Sequence, residues 1–340
     1  MRITFVCPHV RIAGGVRAIL TYADRLARRG HQVVVVVPVR NFIKAWWKNL
    51  RAESPDWVGD FRPGMLWVPE LSGETLPSAD VVVATAWQTA GLAESAPGRC
   101  GQKFYLVQHY ESLYHGGSEQ VDRTYAYPLR KIVISTWLKG IMREKFGADA
   151  ELLVTPVDPA LFSRVEVEPD AGVLRVLMLH HDYAWKGVVD GLEAVRRVKT
   201  KYRDLRLVGF GLKRPRRGEA YDEYHENLPQ RQLAWLYSRC PIYLCPSWDE
   251  GLGMPAMEAM ACGAALVTYD NGGCRDYAWD GRTALVARRR DVADLAEKLE
   301  LAAADPRLRA KISQEGMALI TQKFDWELAV TRLEALLSET

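Results

Sequence analysis

The sequence lacks the features that mark several specialised classes of protein. Its 45 Lys and Arg residues nearly balance 42 Asp and Glu, and a net charge of +3 over 340 residues does not indicate nucleic acid as a partner. Six cysteines, at positions 7, 100, 240, 245, 262 and 274, form no CxxC pair and no metal-ligand spacing. They are typical of small buried side chains in a reducing compartment.

Two further absences concern the membrane and the nucleotide cofactors. No apolar run approaches the ~20 residues of a spanning helix, and the opening MRITFVCPHV does not resemble a secretory signal. We therefore expect a cytoplasmic protein. No GxGxxG follows the first predicted strand, which argues against a dehydrogenase. At 340 residues the chain is long enough for two domains.

The most informative stretch is SWDEGLGMPAMEAMACG, at 247–263. The flanking segments 242–245 (IYLC) and 264–268 (AALVT) have the composition of short buried strands. A strand, a glycine turn, a helix and a second strand form one unit of a parallel sheet. Pro255 suits the start of the helix, because its fixed φ is already helical and its missing N–H is not needed there.

The turn in this stretch predicts a site for an anion, most often a phosphate, at the helix N-terminus. The expected amide donors are Gly251, Leu252, Gly253 and Met254. Glu258 is expected in the first turn of the helix, with Glu250 on the loop before it. Two carboxylates beside an anion are better hydrogen-bond acceptors for sugar hydroxyls than ligands for phosphate. An ordinary strand-to-helix turn, with Glu258 compensating the helix dipole, explains the same residues.

The run EGLGMPAMEAMACGAALVT, at 250–268, resembles the donor-site signature of the retaining glycosyltransferases of family 4, which have the GT-B fold. The resemblance implies that Lys186 clamps the diphosphate of a nucleotide sugar. His181 stands where the family usually has an arginine, and a histidine of ordinary pKa, ~6.5, is only partly charged near neutral pH. The resemblance further implies Glu250 as a ligand of the sugar hydroxyls and Glu258 as a ligand of the ribose hydroxyls.

The first half of the chain begins with a Rossmann-like pattern: a strand over 3–7, a loop containing Gly14 and Gly15, and a helix from about Val16. The resemblance implies that the two glycines close over the donor diphosphate, although a tight turn explains them equally well. We expect the segment 54–69 to be an irregular connection.

Two later strands, 80–85 and 104–108, end in polar and aromatic residues. Ligands collect at the carboxyl ends of parallel strands. His109 is therefore a candidate site residue, and the resemblance implies that it contacts the donor sugar. A histidine that holds its loop by one hydrogen bond is the alternative. Trp87, Gln88 and Tyr110 are the candidates for binding the acceptor.

A polar segment, 163–172, is the predicted linker between two similar halves. The expected organisation is an N-terminal domain over 1–165, a nucleotide-sugar domain over 172–323, and a final helix over 324–340 that crosses back to the first domain. The expected fold class is α/β with GT-B architecture, two Rossmann-like parallel-sheet domains facing a central cleft.

The segment 40–51, RNFIKAWWKNLR, predicts an amphipathic helix with aromatic residues on one face and cations on the other. Such a helix could lie on an anionic membrane, which would make the protein peripheral on its inner face. Alternatively, its aromatic face packs on its own domain.

The resemblance thus implies a retaining, hexosyltransferase-type glycosyltransferase that moves a sugar from a nucleotide-diphosphate sugar to an acceptor in polysaccharide or glycoconjugate biosynthesis. The acceptor is a glycan, a lipid-linked glycan or a small molecule. With no Asp-x-Asp pair in the chain, no metal or other cofactor is expected. A sugar-nucleotide-binding partner without turnover, or a nucleotide-sugar epimerase, is the alternative. The sequence leaves the nucleotide base, the sugar, the acceptor and the oligomeric state open.

Overall fold

The computed structural model describes residues 1–114, 118–168, 172–215 and 220–339. The chain forms two compact units, one built from Met1–Thr155 with Glu327–Thr340 and the other from Pro156–Trp326. Positions 169–171 of the predicted linker lie outside the described residues. The last helix belongs to the first unit, so the second unit is inserted into the sequence of the first.

The first unit is built on a parallel sheet of seven strands in the order β3-β2-β1-β4-β5-β6-β7. Its elements are β1 (Arg2–Val6), α1 (Gly14–Arg28), β2 (Gln32–Pro38), α2 (Phe42–Leu50), β3 (Gly64–Val68), β4 (Val81–Ala84), α3 (Trp87–Glu94), β5 (Gln102–Val107), α4 (Ser118–Tyr125), β6 (Arg130–Val133), α5 (Thr136–Phe146) and β7 (Ala150–Leu152).

The strand β3 corrects the prediction of an irregular connection over 54–69. Its residues pair in parallel with β2, from Val34 beside Gly64 to Pro38 beside Val68. Pro and Gly flank the strand closely, and this composition hid a segment of only five residues. Pairing with β2, whose valine-rich segment is largely buried, supplies the driving force that local propensity lacks.

The second unit has a parallel sheet of six strands in the order β10-β9-β8-β11-β12-β13. Its elements are β8 (Leu174–Leu179), α6 (Val188–Lys199), β9 (Leu205–Gly211), β10 (Glu223–Glu226), α7 (Gln230–Arg239), β11 (Ile242–Cys245), α8 (Met254–Ala261), β12 (Ala265–Tyr269), β13 (Ala284–Ala287), α9 (Val292–Ala304) and α10 (Pro306–Lys323). The prediction of two Rossmann-like parallel-sheet domains is confirmed.

The last helix, α11 (Trp326–Ser338), is held to α1 by ion pairs within the first unit. Arg29 reaches Glu327 at 2.8 Å and Glu334 at 2.9 Å. His31 lies 2.7 Å from the same Glu334 carboxylate. These contacts join residues about 300 positions apart in the sequence, so the first unit is complete only when the end of the chain is in place.

The helix α2 leaves its apolar face exposed, so the alternative of an aromatic face packed on its own domain is wrong. Only Ala45 of this helix is buried. The side chains with a large exposed fraction are Phe42 (72%), Ile43 (64%), Trp46 (51%), Trp47 (47%) and Leu50 (62%). Along the part of the chain that the structure describes, no helix has the length and apolar character needed to cross a bilayer.

Candidate functional site

The second unit has its topological switch point between β8 and β11, which are neighbours in the sheet although α6, β9, β10 and α7 separate them in sequence. Loops that leave adjacent strands in opposite directions open a crevice at such a point. The loop after β8 ends at Gly187, whose φ is +62°. A Cβ at Gly187 would lie 1.9 Å from the carbonyl oxygen of Pro246, which follows β11. This close approach brings Lys186 beside the loop that carries Glu250.

Lys186 and Glu250 form an ion pair across the switch point. The lysine Nζ lies 2.6 Å from Glu250 Oε1, and the two side chains are 18% and 10% exposed. The Glu250 backbone N–H donates to the carbonyl of Asn271 at 2.9 Å, which fixes the loop. The structure therefore brings together the two residues of this unit that the sequence assigns to catalysis.

Two features shape the glycine turn after Glu250: the left-handed conformation of Gly253 and the contacts of the Tyr277 hydroxyl. Gly253 caps α8 with a φ of +89°, a conformation that favours glycine. The Tyr277 hydroxyl donates to the Leu252 carbonyl at 2.9 Å and would lie 2.6 Å from a Cβ at Gly253. Gly251 and Leu252 are buried beside it, and Met254 opens the helix. The positive end of the α8 dipole thus lies at the carboxyl end of β11, as an anion site requires.

Glu258 is not in the first turn of α8, so that part of the prediction is wrong. Because Gly253 is the N-cap, the helix begins at Met254 and Glu258 is its fifth residue. Its side chain is buried and accepts a hydrogen bond from the Tyr237 hydroxyl at 3.3 Å. Compensation of the helix dipole falls off after the first turn, so it does not explain this buried carboxylate.

His181 lies on the loop after β8 and is partly buried, with its ring centroid 4.3 Å from that of Tyr183 and the two planes tilted by 36°. Its Nδ1 accepts the backbone N–H of Tyr183 at 3.1 Å. A neutral ring with this bond carries its proton on Nε2, which is then the nitrogen able to donate to a ligand. Burial, followed by the charge of Lys186, lowers the pKa of His181 below its usual value.

In the first unit, the corresponding switch point lies between β1 and β4. Gly14 and Gly15 are the first two residues of α1 rather than part of the loop before it. A Cβ at Gly15 would lie 3.1 Å from Gln108 Oε1, so the start of α1 is close to the end of β5. Trp87 is the first residue of α3, directly after β4, and Gln88 beside it is exposed.

His109 follows β5 and is partly buried between aromatic rings, with its centroid 5.0 Å from Tyr114 and 6.4 Å from Trp137. Tyr110 is the next residue, but its side chain lies in a different environment. Its ring is buried, and its hydroxyl donates to Asp122 at 3.2 Å. Tyr110 is therefore part of the packing beneath the loop. The assigned residues of this unit all lie at the carboxyl ends of β1, β4 and β5.

Sequence reasoning missed the residues that hold these loops in place. Trp248 donates its indole N–H to Asp190 at 2.8 Å, and the Arg289 guanidinium binds Asp249 at 2.6 Å. These partners are 58 and 40 positions apart, so no local pattern indicated them. Across the described ranges, no group of three His, Cys, Asp or Glu side chains has the arrangement of a metal site.

Comparison with known proteins agrees with this architecture. The sequence profile of the family described as "Glycosyl transferases group 1" matches residues 162–318. A glycogen synthase of Mycobacterium tuberculosis is 26% identical over 281 residues, covering 74% of this chain and 67% of that protein. The O-antigen biosynthesis protein RfbC of Myxococcus xanthus is 27% identical over 350 residues, covering 97% of this chain and 26% of that protein.

The fold also matches a solved structure over its whole length. Anabaena HepE in complex with UDP-glucose superposes with a TM-score of 0.79 at 14% identity, covering 99% of both chains. The matched profile includes Lys186 and the whole of the motif at 250–268. Residues 162–318 therefore match the model of the glycosyl transferases group 1 family, and the chain has a GT-B fold.

Proposed function

We propose that this protein is a retaining glycosyltransferase that moves a sugar from a nucleotide-diphosphate sugar to an acceptor hydroxyl without a metal. The ion pair of Lys186 and Glu250 at the switch point of the second unit carries the proposal. It places a cation for the departing phosphates and a carboxylate for the sugar hydroxyls at one crevice. The α8 N-terminus beside them adds the amides of Gly251 to Met254 as anion donors.

The chemistry follows from where charge develops. The bond between the anomeric carbon and the phosphate oxygen breaks, and its electron pair stays on the phosphate. Lys186 and the α8 N-terminus stabilise this added negative charge more in the transition state than in the ground state. The acceptor oxygen bonds to the anomeric carbon on the same face, and its proton goes to the departing phosphate. The neutral ring of His181, unprotonated at Nδ1, supplies its Nε2–H as a hydrogen-bond donor. An arginine at this position would supply a positive charge instead.

Lys186 is ion-paired with Glu250 in this structure. When a donor binds, the lysine therefore has to interact with both the phosphate and the Glu250 carboxylate. We assign Glu250 to the sugar hydroxyls and the buried Glu258 to the ribose hydroxyls. In the first unit we assign His109 to the sugar, Gly14 and Gly15 to the diphosphate. HepE binds UDP-glucose, and UDP-sugars are therefore the first donors to test, ahead of GDP- and dTDP-sugars.

The donor is tested first by binding and then by turnover. A thermal-shift panel of UDP-, GDP- and dTDP-sugars should identify a donor, because saturation at about 100 times Kd stabilises the folded state by about 2.7 kcal/mol. Release of the nucleoside diphosphate is then measured with wild type, Lys186→Ala and Glu250→Ala. Each substitution should lower kcat by on the order of 100-fold or more.

Lys213→Ala is the matched control, since this exposed lysine pairs with Asp182 in the same unit. It should release nucleoside diphosphate at the wild-type rate. A protein that binds a nucleotide sugar tightly but releases no diphosphate, with or without acceptors, is a sugar-nucleotide-binding partner. Conversion of the bound sugar without its release identifies an epimerase. Activity that EDTA abolishes and Mg²⁺ restores contradicts the metal-free mechanism.

We also propose that the acceptor is lipid-linked and that α2 holds the protein on an anionic membrane from the cytoplasmic side. The exposed aromatic side chains of α2 lie among Lys44, Lys48 and Arg51, the composition of an interfacial helix. Lys48 is ion-paired with Glu53, and Arg51 lies 5.4 Å from the Trp47 ring. All six cysteines are buried, and none forms a disulfide within the described residues, which is consistent with a reducing compartment.

Co-sedimentation with vesicles tests the membrane proposal. Wild type should sediment with phosphatidylglycerol vesicles, less at high salt, and not with pure phosphatidylcholine. Trp46→Ser combined with Trp47→Ser should abolish sedimentation. Trp235→Ser, at an exposed tryptophan of the second unit, should leave it unchanged. Equal sedimentation of wild type and the double variant would exclude α2 as the anchor and would favour a soluble acceptor.

A further inference from the structure

A partly buried carboxyl group lies in the first unit next to the assigned residues but is not one of them. Glu111 opens the short 3-10 turn after β5, two positions beyond His109. Its Oε2 accepts the backbone N–H of Trp87 at 2.9 Å. Trp87 is the first residue of α3, and the N-cap Ala86 has no side-chain acceptor to offer. Glu111 thus satisfies from another loop the first amide of α3, which has no partner within the helix.

The hydroxyl of Tyr125 holds the same loop by its backbone. It accepts the N–H of Glu111 at 2.9 Å and donates to the carbonyl of His109 at 3.2 Å. One hydroxyl therefore closes the chain on both sides of Tyr110. Because a hydroxyl can donate one proton and accept at its lone pairs, the two bonds are compatible.

The loop is further fixed from below by α4. The Tyr110 and Ser112 hydroxyls both donate to Asp122 Oδ1, at 3.2 and 2.5 Å. The rings of Tyr105 and Tyr125 stack at 5.9 Å, and the Tyr105 hydroxyl donates to Glu111 Oε2 at 3.4 Å. Buried hydrogen-bond networks of this kind rigidify a site when their members are satisfied.

We infer that Glu111 is a positioning residue: by joining the first amide of α3 to the loop that carries His109, it fixes the groups that face the sugar and acceptor. This inference rests on the proposed function for what those groups do. Its structural content, the capping of α3 by Glu111, is independent of that function.

The charge of Glu111 changes near neutral pH. Burial raises its pKa to about 7, opposed by the hydrogen bonds from the Trp87 amide and the Tyr105 hydroxyl. The groups that face it are Tyr105 from β5, Tyr125 from α4 and the N-terminus of α3. An ionised carboxylate accepts the Trp87 amide more strongly than a neutral acid. The start of α3 is therefore more firmly held above about pH 7 than below it.

The experiment compares Glu111→Gln, Glu111→Ala and, as a matched control, Glu144→Ala at an exposed position of α5. Hydrogen exchange followed by mass spectrometry reads the amides at the start of α3. Loss of one hydrogen bond of ~1.4 kcal/mol corresponds to about tenfold faster exchange. Glu111→Ala should show that acceleration, Glu111→Gln much less because its amide oxygen still accepts, and Glu144→Ala none.

The second measurement is the hydrolysis of UDP-glucose. In Glu111→Ala, kcat should fall about tenfold with KM changed less than about twofold, the pattern of lost positioning rather than lost binding. In wild type, kcat should rise with pH around 7, and Glu111→Gln should remove this rise. Equal exchange at α3 in all variants overturns the inference. If wild type does not hydrolyse UDP-glucose while exchange changes as expected, the capping role stands and the proposed donor fails.

Discussion

The switch points of the two sheets differ in how they hold the residues around them. In the second unit, charge and crowding dominate: Lys186 pairs with Glu250 at 2.6 Å, and Gly187 lies against the Pro246 carbonyl. In the first unit, tyrosine hydroxyls and the partly buried carboxyl group of Glu111, with a pKa of about 7, hold the loops. The ion pairs of Arg29 in this unit are made with the helix α11 instead.

This difference matches the two tasks of the proposed reaction. Breaking the anomeric bond creates negative charge, which fixed cations and a helix N-terminus stabilise. Orienting a neutral sugar and an acceptor hydroxyl needs precise donors and acceptors with little net charge. The comparison therefore predicts that changes to charge and backbone approach matter most in the second unit, and changes to ionisation state matter in the first.

The largest expected effect is at Gly187. Gly187→Ala adds a Cβ that would lie 1.9 Å from the Pro246 carbonyl oxygen, on a residue whose φ is +62°. The loop has to move, and we expect the free energy of unfolding to fall by about 3 kcal/mol or more. Gly281→Ala is the control: its φ is +71°, but nothing lies within 4 Å, so only ~1 kcal/mol is expected. Equal losses in urea unfolding would show that crowding at Gly187 is unimportant.

A smaller effect, on donor affinity, is expected at His181, which stands where the family usually has a positively charged arginine. Burial and Lys186 lower the pKa of this ring, so it is mostly neutral at pH 7 and gains a proton as the pH falls through that pKa. Donor affinity of wild type should therefore rise as the pH falls through the lowered pKa of this ring. His181→Arg should bind the donor about tenfold more tightly at pH 7.5 and lose this pH dependence. Calorimetric titration from pH 5.5 to 8 measures both, and identical profiles would contradict a phosphate contact.

The smallest effect, on the free energy of unfolding, is expected at Glu334 of α11, which pairs with Arg29 and His31. The hydrogen bond from His31, followed by that from Arg29, lowers the pKa of Glu334. A lowered carboxyl pKa stabilises the fold above the unfolded value and loses that contribution as pH falls through the folded value. Since the site is partly exposed, Glu334→Gln should cost about 1 kcal/mol or less at pH 7. The cost should shrink as the pH falls through the lowered pKa of Glu334, and a cost that stays constant with falling pH would rule out this ionic origin.

The sequence predicted the second unit better than the first for a physical reason. The strands β11 and β12 fall at or close to their predicted positions, 242–245 and 264–268, because their apolar runs are uninterrupted. The donor motif is contiguous, so residue type and spacing alone brought Glu250 and the α8 turn together. Only the start of the helix was misplaced, since the left-handed conformation of Gly253 is a tertiary feature.

In the first unit, the missed features depend on long-range partners. The short strand β3 is stabilised by pairing with β2 rather than by its own composition. Glu111 and Tyr125 act on His109 and Trp87 from separate elements, so no spacing rule connects them. The helix α2 is a further example. Its apolar periodicity predicted an amphipathic helix but not whether its apolar face would be buried or exposed.

The place of α11 has a consequence for how the protein is made. The strands of the first unit leave the ribosome before any of the second, yet the helix that pairs with Arg29 is synthesised after residue 325. Until then, the surface of α1 that α11 covers is open. The second unit, whose strands and helices are continuous in sequence, can fold as soon as it emerges. The nascent first unit is therefore the stage at which a chaperone would have most to bind.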